Sequence, residues 1–118
     1  GVWSIRRNRD PDAGADAFRI CLERTPQVAA HETGHMFSIR HCKAWQCCMC
    51  GTNSLNESDR LPLHLCPECL AKVCWATRSH PIARYEKLAE FYDTHGLHDE
   101  RDFCRRSIAV LTGEIDVE

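Results

Sequence analysis

The sequence predicts an α+β domain that is mainly helical. Three observations lead there. Val2-Trp3-Ser4-Ile5 has the residue types of a short strand. Four later stretches repeat apolar residues every three to four positions, the spacing of one helix face. Among them lies a turn-rich run, 42–65, with little period of either kind. A loop that long inside a small domain needs something to hold it, and cysteines stand at both of its ends.

With 118 residues the chain suffices for one small domain. It divides into a strand and lead-in helix over 1–30, a cysteine- and histidine-rich region over 31–76, and C-terminal helices over 77–118. It opens on the strand pattern without a Met, so it reads as part of a longer protein. Apolar residues make up 43% and charged residues 27%, which is the composition of a soluble globular chain. The net charge of −2 argues against a nucleic-acid partner. No apolar run approaches the roughly 18 residues of a membrane span, so no membrane partner is expected, and a monomer is.

The elements follow in order. Arg6-Arg7-Asn8-Arg9-Asp10 ends the strand, and Asp10-Pro11-Asp12-Ala13-Gly14 is turn chemistry. Asp16 to Arg24 reads as helix, with Phe18, Cys21 and Leu22 on one side. Thr25-Pro26 allows two readings. Thr25 can cap a new helix with Pro26 at its first position, or one helix runs through and Pro26 kinks it. In both, a helix from about Gln27 to Phe37 buries Val28, Ala29 and Met36. Cys66-Pro67-Glu68-Cys69 opens a helix to about Thr77. Pro81 starts the next, whose stripe is Ile82, Tyr85, Leu88, Ala89 and Tyr92, and Gly96 closes it. A last helix runs to about Leu111, with Phe103, Ser107, Val110 and Leu111 along one side, and Gly113 ends it.

The stretch His31 to Cys42 carries the chemistry. His31 and His35 are four apart, so on a helix both imidazoles face one ion. Glu32 adjoins the first, as H-E-x-x-H requires of a general base beside two zinc ligands. His41 comes six residues after His35, so the helix must end and turn back to bring it in. Three protein ligands leave a fourth tetrahedral position open, the geometry of a catalytic zinc site. Gly serves at the turn in the longer motif H-E-x-x-H-x-x-G-x-x-H. Here Ser38 stands there, at a cost of about 1 kcal/mol if its backbone is left-handed.

Nine cysteines, an odd number, cannot pair fully into disulfides, and their clustering favours metal over a disulfide framework. Cys42, Cys47, Cys48, Cys50, Cys66 and Cys69 fall within 28 positions. Spacing favours a structural zinc site from Cys47-x2-Cys50 and Cys66-x2-Cys69. Connectivity favours Cys42 in place of Cys50, because Cys42 adjoins His41 and a metal there would pin the turn. Thiolate zinc suits a reducing compartment, so a cytoplasmic location is expected. Cys21, Cys74 and Cys104 read as small core residues. Cys48 and Cys50 read as spare thiols near the site. His64, His80, His95 and His98 read as surface or capping residues, and Trp3, Trp45 and Trp75 as packing.

His31-Glu32-Thr33-Gly34-His35-Met36-Phe37-Ser38-Ile39-Arg40-His41-Cys42, then Cys47-Cys48-Met49, then Cys66-Pro67-Glu68-Cys69 resembles the archaemetzincins (archaelysins). The match is close over 31 to about 73. The resemblance implies a zincin/metzincin-like catalytic half, with most of the upstream β-sheet missing from this chain. It implies a catalytic zinc on His31, His35 and His41 with Glu32 as general base. It implies a second, structural zinc on Cys42, Cys47, Cys66 and Cys69, and Met49 as the Met-turn beneath the histidines. Two zinc ions per chain, a peptide or protein substrate and peptide-bond hydrolysis follow from it. The alternative is a non-catalytic zinc-binding module, in which the thiol site folds the chain and the histidine site is idle. Ser38 in the Gly position and the short upstream region favour that alternative.

Overall fold

The structure, a computed structural model, describes residues 8–116. They form five helices: α1 (Ala15–Met36), α2 (Leu55–Ser58), α3 (Pro67–Thr77), α4 (Pro81–Thr94) and α5 (His98–Leu111). Among the described residues there is no strand, and the strand expected at Val2 to Ile5 lies outside them. The described fold is therefore helices joined by irregular chain. It divides into two compact units, Gly1–Cys69 and Leu70–Glu118, the division falling within α3.

Of the two readings at Thr25-Pro26, the single helix holds. α1 runs 22 residues with Pro26 inside it. The Thr25 hydroxyl accords with that continuity: it donates to the Cys21 carbonyl one turn back at 2.7 Å and accepts from the Asn8 side-chain amide at 3.2 Å. The buried face of α1 is Ala17, Cys21, Gln27 and Gly34. The expected faces are only partly right. Val28 and Ala29 are half-buried, but Met36 is 66% exposed and Phe18 55%. Phe18 and Met36 are five turns apart at about 3.6 residues per turn, so they share one stripe. The first unit packs its cysteine loop on the opposite stripe.

α1 ends in a Schellman motif. Ser38 is left-handed at φ 63°. Its N–H donates to the His35 carbonyl at 2.9 Å, and the Ile39 N–H to the Gly34 carbonyl at 3.1 Å. Ile39, just past the turn, is buried. α3 closes the same way on Arg78 (φ 53°), α4 on Gly96 (φ 72°) and α5 on Gly113 (φ 76°). The last two are the glycines expected to stop those helices.

The 42–65 run contains one helical turn that its weak periodicity hides. Ser54 caps α2, accepting from the Glu57 N–H at 3.2 Å, and Glu57 reaches back to accept from the Asn53 N–H at 2.9 Å. Ser54-x-x-Glu57 is a capping-box spacing, a signal present in the sequence. Two contacts fasten this turn to α1. Gln27, buried, donates to the Ser58 and Leu61 carbonyls at 2.8 and 3.3 Å and accepts from the Ser58 hydroxyl. Arg24 makes a two-pronged pair with Asp59, 2.9 and 2.6 Å, which holds that carboxyl below the usual carboxylate range.

The core of the first unit is sulfur-rich. Cys47, Cys48, Met49 and Cys69 are almost fully buried, with Cys66, Leu65 and Ile39 around them. In the second unit α4 and α5 pack along each other. Tyr85, Ala89, Tyr92, Leu97 and Cys104 form its interior, and Tyr85 meets Phe103 edge-on at 6.2 Å. His80 caps α4 by accepting from the Ile82 N–H at 3.3 Å, with Pro81 at the first position. Burial pushes the Cys104 thiol up to about 11, as suits an inert core cysteine. Cys21 is likewise buried and Cys74 half-buried. Two tryptophans depart from expectation: Trp45 is 59% exposed and Trp75 86%, so neither is core. Trp3 lies outside the described residues.

Candidate metal centres

The helical register of α1 sets His31 and His35 on one side, and the Schellman turn returns the chain with His41. The three rings meet. The His31 and His35 Nε2 atoms are 3.0 Å apart, and the His31 and His41 Nε2 atoms 3.3 Å. His31 and His35 are half-buried and His41 is exposed. The far side of each helical ring is tied down. His31 Nδ1 lies 2.7 Å from the Cys48 carbonyl and His35 Nδ1 2.8 Å from the Ile39 carbonyl. A carbonyl only accepts, so each Nδ1 carries the proton and each Nε2 presents a lone pair. Two such lone pairs at 3.0 Å repel unless a cation lies between them. Nitrogens on one tetrahedral zinc at roughly 2.0–2.1 Å stand about 3.3 Å apart, so the donor set fits that ion. Glu32 is half-buried and lines the same cleft of about 380 Å³, beside the histidines, Thr52 and Leu61.

Two glycines that sequence reasoning passed over shape this centre. A Cβ on Gly34 would collide with the Met49 thioether, its methyl only 2.7 Å away. Gly34 therefore lets Met49 lie against the turn of α1 that carries both helical histidines. A Cβ on Gly51 would stand 2.6 Å from His41 Nδ1 and 3.0 Å from its Cε1. Gly51 lets the chain lie flat against the third ring. Neither glycine has a positive φ. Close approach is what each position requires, and no local sequence pattern announces it.

The second cluster holds Cys42, Cys47, Cys66 and Cys69. Their sulfurs lie within 4.8 Å of one another, and Cys42 and Cys66 Sγ are 3.8 Å apart. Sulfurs on one tetrahedral zinc at about 2.3 Å stand about 3.8 Å apart. Backbone N–H groups point at these sulfurs. Met49 and Cys66 donate to Cys47 Sγ at 3.4 and 3.2 Å, and Cys69 donates to Cys66 Sγ at 3.4 Å. Burial nonetheless pushes the Cys47 and Cys69 thiols up. Burial also opposes ionisation of Cys42, but hydrogen bonding from the Trp45 and Ala44 backbone outweighs it and brings Cys42 down to about 7. A thiol ligand ionises when metal binds, because the ion's charge overrides the desolvation cost. Cys50 stands outside this cluster, donating instead to the Trp45 carbonyl at 3.1 Å. Of the two thiol sets that the spacing left open, geometry assembles the one containing Cys42. The two centres share a hinge. Cys42 follows His41 directly, and its N–H donates to the Met49 carbonyl at 2.9 Å.

With this geometry in view, comparison with known proteins gives a class. The sequence pattern of peptidase family M54 matches residues 14–74. The chain belongs to peptidase family M54. Archaemetzincin-2 of Macaca fascicularis is 43% identical over 74 residues, which cover 63% of this chain and 21% of that protein. The archaemetzincin of Thermococcus kodakarensis is 38% identical over 74 residues, covering 61% of this chain and 39% of that one. Archaemetzincin-1 of Homo sapiens is 39% identical over 62 residues, 52% of this chain and 12% of that protein. The chain thus spans about a fifth of the length of the archaemetzincin-2 relatives. No solved structure matches it. The family and the two side-chain clusters together support zinc as the metal.

Proposed function

We propose that this chain carries the catalytic machinery of a zinc-dependent peptidase, with one zinc at the three histidines and a second at the four cysteines. The observation that carries the reading is the convergence of three histidine Nε2 atoms, two of them held with their lone pairs free by backbone carbonyls, beside Glu32 on one cleft. Zinc, when bound, supplies Lewis acidity that polarises a peptide carbonyl and makes water easier to deprotonate. The chain's own groups do the rest. Glu32 takes a proton from water at its carboxylate and returns it to the departing amine nitrogen. The Cys48 and Ile39 carbonyls hold His31 and His35 in the tautomer that leaves Nε2 for the metal. Met49, seated against Gly34, acts as the Met-turn that supports the helical histidines from beneath. The four cysteines hold the 42–69 loop and thereby fix the approach of His41.

The test is a pair of measurements on zinc-loaded protein. Metal analysis should return two zinc ions per chain. Glu32→Ala should keep both and lose hydrolysis of a generic peptide by roughly 10²–10⁴-fold, the usual worth of a general base. Unchanged turnover in Glu32→Ala removes the assigned base. A single tightly held zinc and no hydrolysis in the parent chain would favour the non-catalytic module instead.

A further inference from the structure

His41 forms part of the wall of the cleft at the histidines. A second hollow of about 480 Å³ lies against His41 and Cys50, which also line the first, and extends to Lys43, Trp45 and Gln46. At its rim is Trp45, 59% exposed. Exposure of one indole alone says little. The backbone beneath this one says more. The four residues 43–46 are anchored between Cys42 and Cys47, both members of the thiol cluster. Cys50, which lies outside both assembled side-chain clusters, donates to the Trp45 carbonyl at 3.1 Å. An exposed aromatic on a backbone held at three points loses little conformational entropy when something packs against it.

Resting on the peptidase reading above, we propose that Trp45 is the platform of a substrate subsite that takes an apolar or aromatic side chain near the bond to be cut. The hollow adjoins the histidine cleft, sharing His41 and Cys50 as walls, so a peptide bound at the histidines would have this hollow beside it. An indole offers a broad apolar face, and aromatic contacts add to simple burial. Cys50 is then a positioning residue, acting through the Trp45 carbonyl.

Binding can be read apart from turnover in the Glu32→Ala chain loaded with zinc. Peptides Ala-Ala-Xaa-Ala-Ala with Phe, Leu or Gly at Xaa are titrated while indole emission is followed, and the parent chain is assayed for hydrolysis in parallel. The Phe and Leu peptides should bind roughly five-fold or more tightly than the Gly peptide and shift the emission. Adding Trp45→Phe should remove the emission change and keep most of the preference. Adding Trp45→Ala should abolish the preference. Equal binding of all three peptides, an emission change that persists in Trp45→Phe, or a preference that survives Trp45→Ala overturns the subsite. If the parent chain cuts nothing but the Trp45-dependent preference is present, the peptidase reading falls and the subsite stands. Hydrolysis without that preference gives the reverse.

Discussion

Glycine 51 has a role that depends on what faces it. Its φ is ordinary, but its missing Cβ leaves the space that His41 fills. Gly51→Ala should push the His41 ring out of line with the other two. We expect zinc affinity at the histidines to fall by about ten-fold or more, the scale of losing a supporting contact around a ligand, while the thiol-bound ion stays. Competition with a zinc chelator, with the two ions counted separately, checks this. Equal loss from both centres would mean that the substitution disturbs the loop as a whole. Gly34 works by the same principle against Met49. H-E-x-x-H leaves its two middle positions open, yet here the second of them is held to glycine by a residue fifteen positions away. His31, Glu32, His35 and His41 are legible from their spacing. The two glycines are not, because their constraint comes from partners distant in sequence or across a turn.

The ends of the elements decide how the site is built. Four helices close with a left-handed residue, but only α4 and α5 use glycine there. At Ser38 the left-handed turn is what returns the chain to deliver His41, and its side chain is exposed. Ser38→Gly should therefore stabilise the first unit by about 1 kcal/mol without moving a ligand. A denaturation midpoint displaced upward with unchanged zinc affinity is the expected result, and a fall in stability would show that Ser38 makes a contact worth more than its backbone cost. The sequence marks this position as the unusual one, and the structure finds it left-handed. It is silent on α2, whose Ser54-x-x-Glu57 signal is short and sits among polar residues. It is ambiguous at Pro26, because a Thr before a Pro suits both a cap and a continuous helix. The continuous α1 resolves that choice, with the Thr25 hydroxyl bonded backward to Cys21 inside it.

Across the whole chain, the two units rest on different physics. The second buries tyrosines and aliphatic residues between α4 and α5. The first buries mainly cysteines and a methionine, and its irregular loop has few backbone ladders to hold it. Its fold should depend on metal. Cys66→Ser, which removes one thiol ligand from the buried cluster, should cost the first unit several kcal/mol, since structural zinc contributes on the order of 10 kcal/mol to such folds. Hydrogen exchange reads this by region. Protection over 39–69 should collapse in Cys66→Ser or under strong chelation, while that over α4 and α5 should survive. Equal loss in both would show that the second unit leans on the first. Among the described residues no helix is long and apolar enough to cross a membrane.

The sequence by itself determined the longer helices and the candidate ligands. Both are written in local spacing: apolar residues at three and four, His31 and His35 at four, Cys66 and Cys69 at three. Family membership rests on the same local pattern, over 14–74. Tertiary structure decided which thiols assemble, since Cys50 is the nearer to Cys47 along the chain, three residues against five for Cys42, yet the folded loop gathers Cys42 and leaves Cys50 outside. It also decided which face of α1 is covered. Phe18 and Met36 are as apolar as a core residue should be, yet the cysteine loop packs on the other side, where Gln27, Arg24 and Gly34 give it hydrogen bonds, a charge partner and room.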